Sequence, residues 1–270
     1  MGIVNVTPDS FSGDGSLNLD AAVAHALDLA EHGADILDVG GESSRPGAEP
    51  VDPEEEMHRV VPVIGQLSQR TELPISVDTR HAWVAQAALV AGATLVNDVW
   101  GFLQDPELGH VVSRHGAWAV AMHNRKGIAA SAPKVGGYVS EAPAGDVVTD
   151  VIQGLRTSVS VLRAAGVPDD RIIVDPGFGF GKTPPQNLQL IAQLGRLKEL
   201  GFPILVGPSR KSTIGIVLGG LPPSERLEGT AALVALSIAN GADIVRVHDL
   251  PAMARVVRMT DAVVRGRAEG

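Results

Sequence analysis

The sequence predicts an α/β protein, a single-domain (β/α)8 barrel (TIM barrel) with its active site at the C-terminal ends of the strands. Three observations lead there. Eight short, β-branched runs alternate with eight longer stretches of helical periodicity. The short runs are apolar nearly throughout, as strands are in a parallel sheet covered on both faces. A chain of 270 residues matches one closed barrel with modest additions, and no linker or composition shift divides residues 1–270.

In chain order the strand-like runs are Met1–Val6, Asp35–Val39, Ile75–Val77, Thr94–Val96, Ala117–Met122, Arg171–Val174, Ile204–Val206 and Asp243–Val247. Helical periodicity covers Leu19–His32, Pro53–Gln69, His81–Ala91, Pro106–His115, Asp146–Ala165, Gln186–Leu200, Ser224–Ala239 and Pro251–Arg265. Four helix-to-strand joints carry Gly33, Gly92, Gly166 and Gly241 just past a helix, where a left-handed cap is needed. The longest stretch without periodicity, Asn124–Ala144, reads as a mobile loop after strand five.

With 44% hydrophobic and 20% charged residues, the chain can bury a sizeable core, which excludes wholesale disorder. A net charge of −9 argues against a nucleic-acid or membrane-surface partner, while leaving room for one local basic cluster. There is no cysteine, which removes disulfides, thiolate metal sites and a cysteine nucleophile, and suits a reducing cytoplasm. The N-terminus has no signal-peptide pattern, and no apolar run reaches membrane-spanning length. A soluble, cytoplasmic protein is expected.

Every strand end delivers a polar group: Asn5, Asp38, Asp78, Asn97-Asp98, His123, Asp175, Ser209-Arg210-Lys211, Arg246 and His248-Asp249. A structural barrel has no reason to crowd Asp78, Asn97 and Asp175 beside two arginines and a lysine, since burying unpaired charge is costly. Arg45, Lys211, Arg246 and His248 form a cationic set, with Arg45 in the Gly/Ser-rich segment Gly40–Gly47, suited to phosphate oxygens. Asp78, Asn97 and Asp175 can accept from and donate to a flat heterocycle bearing amino, N–H and carbonyl groups. Asn5 and the segment Thr7–Gly15 offer hard oxygen ligands for a Mg2+ held mostly by substrate phosphates.

Other features read as structural. Asp175-Pro-Gly-Phe-Gly-Phe-Gly-Lys182-Thr183 fits neither nucleotide fingerprint, because Pro176 and the glycine register break both. His25 and His32 read as surface residues, and His110 and His115 have no metalloprotease context. Glu54-Glu55-Glu56, after Asp52-Pro53, reads as a solvated helix start at the positive dipole end. His123 is left open between a site wall and structural hydrogen bonding.

The motifs Asn5-Val-Thr-Pro-Asp-Ser-Phe-Ser12 and Asp38-Val-Gly-Gly-Glu-Ser-Ser-Arg-Pro-Gly47 resemble the two signatures of the dihydropteroate synthase family. The similarity continues through Ser76-Val-Asp78-Thr79, Asn97-Asp98, Met122-His123, Asp175–Lys182, Val206-Gly-Pro-Ser-Arg-Lys-Ser212 and Arg246-Val-His248-Asp249, in family order. The resemblance implies condensation of 6-hydroxymethyl-7,8-dihydropterin diphosphate with p-aminobenzoate, giving 7,8-dihydropteroate and pyrophosphate. It also implies a (β/α)8 barrel, a homodimer, and Mg2+ with the diphosphate.

Residue by residue, it implies that Asp78, Asn97, Met122, Asp175 and Lys211 hold the pterin. Asn5, Arg246 and His248 would hold the diphosphate, with Asn5 also at the metal. Ser44, Arg45, Pro46, Phe180, Lys211 and Ser212 would shape the p-aminobenzoate pocket, and Thr7, Asp9 and Phe11 would lie on a closing loop. Asp78, Asp175, Lys211, Arg246 and His248 form the expected catalytic set. Sulfonamides, which mimic p-aminobenzoate, would compete with it.

Two other readings stand beside this one. Pterin barrels of corrinoid-dependent methyltransferases use similar Asp and Asn residues but lack the combined cations, because no diphosphate leaves. A silent pterin-binding paralogue would keep the fold without turnover. Three positions depart from the family: Asp14 is displaced by one residue, Asn124 replaces a larger apolar residue, and the chain begins directly on strand one, so the N-terminal mouth would be less covered unless the start lies upstream.

Overall fold

A computed structural model describes residues 1–7, 19–42, 51–125 and 145–266. The eight strands are β1 (Gly2–Asn5), β2 (Leu37–Gly40), β3 (Ile75–Asp78), β4 (Leu95–Asp98), β5 (Trp118–Met122), β6 (Ile172–Asp175), β7 (Leu205–Val206) and β8 (Ile244–Val245). β1 to β6 pair in sequence order, and β7 pairs with β8, all in parallel. Parallel bridges Val174–Ile204 and Gly2–Val247 join the two sheets at both seams. At the second seam Ile3 N–H donates to the Val247 carbonyl at 3.1 Å, and Val247 N–H to that of Met1 at 3.0 Å. The sheet therefore closes on itself, and no strand among the described residues is left as an edge.

The α-helices among the described residues are α1 (Leu19–Glu31), α2 (Pro53–Leu67), α3 (Ala82–Val90), α4 (Leu108–His115), α5 (Val147–Ala164), α6 (Pro184–Ala192), α7 (Ser212–Val217), α8 (Leu227–Ala239) and α9 (Leu250–Arg265). None is long and apolar enough to cross a membrane. Local sequence sets their ends. Asp52 and Asp146 cap α2 and α5 through side-chain oxygens, and Thr183 with Gln186 forms a capping box on α6. The four expected joint glycines all take positive φ, from 89° at Gly166 to 118° at Gly92.

Two elements differ from the sequence expectation. The helix expected over Gln186–Leu200 is α6 followed by a 3-10 segment, Leu194–Leu200, with the weak helix former Gly195 inside it. The six-residue α7 was not expected at all. It ends just before the pair Gly219-Gly220, too short to show a helical period.

Strand alternation divides the barrel interior into two levels. One set of side chains, including Val4, Val39, Val77, Val96, Ala119, Val174, Val206 and Val245, joins the continuous core between barrel and helices. The other set points inward. Near the N-terminal mouth it is apolar: Met1, Leu95, Val120, Ile173 and Leu205 pack together, with Ile36, Trp118 and Ile244 against them. Two residues further along each strand the same inward face carries Asp38, Asp78, Asn97, Met122, Asp175 and Arg246. The polar residues thus share one inward face, toward the C-terminal ends of their strands.

A cavity of about 670 Å3 opens at the opposite, N-terminal mouth, lined by Ile36, Leu95, Trp118, Ile173 and Ile244 among others. Its polar groups already have structural partners. Arg171 donates to the Gly116 carbonyl and lies over the Trp118 ring, Asp243 accepts from Ile204 N–H, and His115 meets Gln86. Size alone does not locate the chemistry here.

Candidate active site

The centre of the upper level is a charge cluster contributed by four strands. Arg246, just beyond β8, donates from Nε to Asp38 Oδ2 at 2.5 Å and from Nη2 to Asp78 Oδ2 at 2.7 Å. Asp38, fully buried in β2, also accepts from Asn97 Nδ2 at 3.2 Å. In the sequence Asp38 was one strand end among eight and the first residue of a family signature, with no role assigned to it. In the structure it orients both the arginine and the asparagine, so it belongs to the site. Burial pushes the Asp78 carboxyl above its usual range, and Arg246 pulls it back.

Asp175, at the end of β6, accepts from Gly177 N–H at 2.7 Å. Burial raises its pKa to about 6, against the Gly177 hydrogen bond and the Lys211 charge. Across the hollow, Lys211 sits at the N-terminus of α7 with its ammonium 4.0 Å from the centre of the Phe180 ring. Burial, then Arg246, lowers the Lys211 pKa to about 8. Asp78, Asn97, Met122, Asp175, Phe180, Lys211 and Arg246 line one hollow, together with Val99, Phe178 and Gly207. Asn5 ends β1 one strand away, paired in register with Gly40, and Ser212 opens α7 beside Lys211.

His248 requires a correction. It was expected among the cations, but burial and then the neighbouring Arg246, Arg210 and Lys211 push its pKa down to about 3. It stands as a neutral imidazole, with Nδ1 3.0 Å from Ser209 Oγ, a hydroxyl that also accepts from the His248 backbone N–H. The adjacent Arg210 holds Asp249 through two hydrogen bonds, which ties the loop after β7 to the one after β8.

Glu56 is a second correction. Glu54 and Glu55 are exposed as expected, but Glu56 is buried against Gly41 and Val60, because the first turn of α2 faces the segment after β2. Burial pushes its carboxyl to about 7, with Thr79 working the other way. The His123 ring packs against Gly154 of α5, and His123 is not among the residues that line the hollow. Asp98 accepts from Trp100 and Phe102 N–H groups and anchors the turn after β4. Thr7 is described and half-buried, whereas Asp9, Phe11, Ser44, Arg45, Pro46 and most of the Asn124–Ala144 segment lie outside the described residues.

Among the described residues no group of three or more His, Asp or Glu side chains is arranged to hold a metal by itself. The donor set present, one amide oxygen at Asn5 beside an interior whose carboxylates Asp38 and Asp78 are taken by Arg246, fits a cation whose ligands come chiefly from substrate.

Comparison with known proteins agrees with the geometry. The family described as "Pterin binding enzyme" matches residues 1–248. A dihydropteroate synthase of Clostridium beijerinckii is 45% identical over 267 residues, covering 98% of this chain and 94% of that protein. The structure of a dihydropteroate synthase from Clostridium difficile, solved in the presence of pteroic acid, aligns with a TM-score of 0.90 at 45% identity, over 98% of this chain and 96% of that one. One from Xanthomonas albilineans, in complex with 7,8-dihydropteroate, aligns with a TM-score of 0.85 at 42% identity, over 97% and 92%. The chain belongs to the pterin binding enzymes and, within them, to the dihydropteroate synthase family.

Proposed function

We infer that this chain condenses 6-hydroxymethyl-7,8-dihydropterin diphosphate with p-aminobenzoate to give 7,8-dihydropteroate and pyrophosphate. The observation that carries the reading is the hollow itself, with acid and amide acceptors from β3, β4 and β6 facing Lys211 and Arg246 across one barrel mouth. Relatives that align over nearly the whole chain bear the same activity in their names.

The reaction forms a bond between the amine nitrogen and the pterin methylene carbon. The carbon–oxygen bond to diphosphate breaks, and the amine proton passes to solvent. Asp78, Asn97 and Asp175 are placed to accept from and donate to the pterin edge, and the carboxylates favour positive charge developing at the methylene carbon. Arg246 has five N–H donors, of which Asp38 and Asp78 engage two; the remainder would meet the departing diphosphate. His248, neutral beforehand, would gain a proton when the diphosphate of the substrate binds, because that anion offsets the cations around the ring. Asn5 would contribute to a Mg2+ at the diphosphate, where such an ion supplies charge neutralisation. Phe180, Lys211 and Ser212 are assigned to the p-aminobenzoate pocket, with Ser44, Arg45 and Pro46; Met122 walls the pterin, and Thr7, Asp9 and Phe11 belong to the closing segment.

The direct test is to incubate the protein with both substrates and Mg2+ while following pyrophosphate and dihydropteroate. Pterin binding without pyrophosphate release would overturn the reading. The pH profile follows from the site. Asp175 must be ionised, so kcat/KM should fall below about pH 6, and Lys211 must be protonated, so it should fall above about pH 8. Lys211→Arg should flatten the alkaline limb while leaving the acidic one, and an unchanged alkaline limb would remove Lys211 from the profile.

We also propose a homodimer formed through the faces of α7, α8 and α9. Leu236 on α8 is 52% exposed, and Met259 and Val263 on the neighbouring α9 are 65% and 72% exposed, with Ile216, Val217 and Leu218 at α7 also uncovered. Side chains of this size clustered on adjacent helices mark an interaction surface. Leu236→Asp with Val263→Asp is expected to convert the species seen by light scattering from dimer to monomer, with the circular dichroism of the folded chain retained and a Tm that no longer depends on protein concentration. A wild-type chain that is monomeric at micromolar concentration would refute the surface.

A further inference from the structure

Lys182 plays no part in the hollow, yet it is among the largest fully buried side chains in the protein. Its Nζ donates to three backbone carbonyls: Gly177 at 2.9 Å, Phe180 at 3.0 Å and His123 at 3.2 Å. An ammonium has three donors, and all three are used. None of these contacts is a carboxylate: peptide carbonyls alone supply the hydrogen bonds, Asp175 and Asp150 act only at longer range, and burial pulls the pKa down to about 7, an expensive arrangement where an apolar side chain could fill the space. The loop between β6 and α6 coils around the ammonium, with Gly177, Gly179 and Gly181 at positive φ turning carbonyls inward. Phe180 sits at the far end of that coil, and its ring is what Lys211 rests on. A second tie runs in parallel: Gly179 N–H donates to Asn187 Oδ1 at 2.8 Å, and Asn187 Nδ2 donates to Thr213 Oγ1 in α7 at 3.0 Å.

We propose that Lys182 is a positioning residue for the amine substrate: by gathering three carbonyls it fixes Phe180 beneath Lys211, and so sets the wall against which p-aminobenzoate packs. This rests on the substrate assignment above. The charge serves a loop that has no regular secondary structure to hold it, and the two ties together lock the loop to the start of α7. A residue acting only through stability would affect both substrates alike. A residue acting through Phe180 affects one.

The test uses the full chain carrying Lys182→Met, with steady-state KM for each substrate, Tm, and the titration of Lys211 followed by NMR of 13Cε-labelled lysine. The chain has only five lysines, so Lys211→Arg identifies the signal. Lys182→Met should raise the p-aminobenzoate KM about ten-fold and leave the pterin diphosphate KM within about three-fold. It should also shift the Lys211 titration, through the displaced ring beneath the ammonium and through loss of the Lys182 charge, which acts on Lys211 directly. In a Phe180→Leu background the same substitution should have no further selective effect. Equal rises in both KM values, or an unchanged p-aminobenzoate KM with an unmoved Lys211 signal, would overturn the proposal. If the methionine variant does not fold, Lys182→Gln keeps two donors for the same carbonyls and should give a smaller rise in the p-aminobenzoate KM, about three-fold, with the pterin diphosphate KM unchanged; its absence would count equally against the idea. A wild-type protein that makes no dihydropteroate would refute the activity, whereas the NMR arm would still report whether Lys182 governs Lys211.

Discussion

Arg246→Met is expected to abolish turnover and to lower Tm by roughly 6–10 °C. Methionine fills similar space but leaves Asp38, fully buried, and Asp78, 15% exposed at its side chain, with no cation between them. Removing one partner of a buried ion cluster costs about 3–5 kcal/mol, and about 2 °C per kcal/mol is reasonable for a chain of this size. The penalty should depend on pH. The Asp78 pKa is already raised by burial, and without Arg246 it loses the strongest influence that lowers it. A carboxyl whose folded pKa lies above its unfolded value destabilises the fold at pH values above that pKa, and the penalty fades as acidification protonates it. The Tm gap between wild type and variant should therefore narrow from pH 7.5 to pH 5. Adding Asp38→Asn and Asp78→Asn should recover most of the Tm and none of the activity. A single variant as stable as wild type at pH 7.5 would show that the three groups are not energetically coupled.

The same cluster explains what was and was not legible in the sequence. Asp78, Asn97 and Asp175 each end an apolar run, so strand periodicity alone sends them to one rim, and the motif order names the ligand. Asp38 lies two residues further back, in register with Ser76 and inside the run Leu37-Asp38-Val39. There an inward acid is indistinguishable from a structural one until its partner is known. That partner, Arg246, is 208 residues away and reaches it only because the bridge between Gly2 and Val247 closes the ring. The pairing is a property of closure, and no local window contains it.

Charge state was hidden for a related reason. His248 beside Arg246 in sequence suggested a shared cationic role. Its protonation is set first by burial, then by Arg246 beside it and by Arg210 and Lys211 brought in from the turn after β7, and all of these act to keep it neutral. Glu56 shows the helical version of the problem. Three consecutive acids at a helix start all favour the dipole equally, but only one of the three faces inward, toward Gly41, and which one depends on the angle at which α2 meets the barrel. Lys182 was visible near the end of a failed nucleotide fingerprint and as the last residue of a family motif, neither of which gave it a role. The signal that could have found it was the alternating glycines of Gly177–Gly181, which suit a loop coiled around something small and charged.

Gly177→Ala should be the most damaging single-atom-scale change in the site, lowering kcat/KM by about a hundred-fold or more. Gly177 has φ of +69°, where an L side chain costs about 1–2 kcal/mol. A Cβ there would also lie 2.0 Å from the His123 carbonyl oxygen, and since that atom is backbone, no rotamer change relieves the overlap. The loop has to move. When it does, Asp175 loses the N–H at 2.7 Å that holds its carboxylate in place, and Lys182 loses two of its acceptors, Gly177 and His123, in their present positions. Without that hydrogen bond the Asp175 pKa rises further, so the acidic limb of the pH profile should move upward from about 6, which separates this effect from simple unfolding. Gly219→Ala supplies the control: φ there is +81°, but nothing lies within 4 Å of the added carbon, so only the conformational penalty applies and turnover should be unaffected. Comparable kcat/KM values for the two variants, with the acidic limb unmoved, would mean that the turn after β6 does not position Asp175.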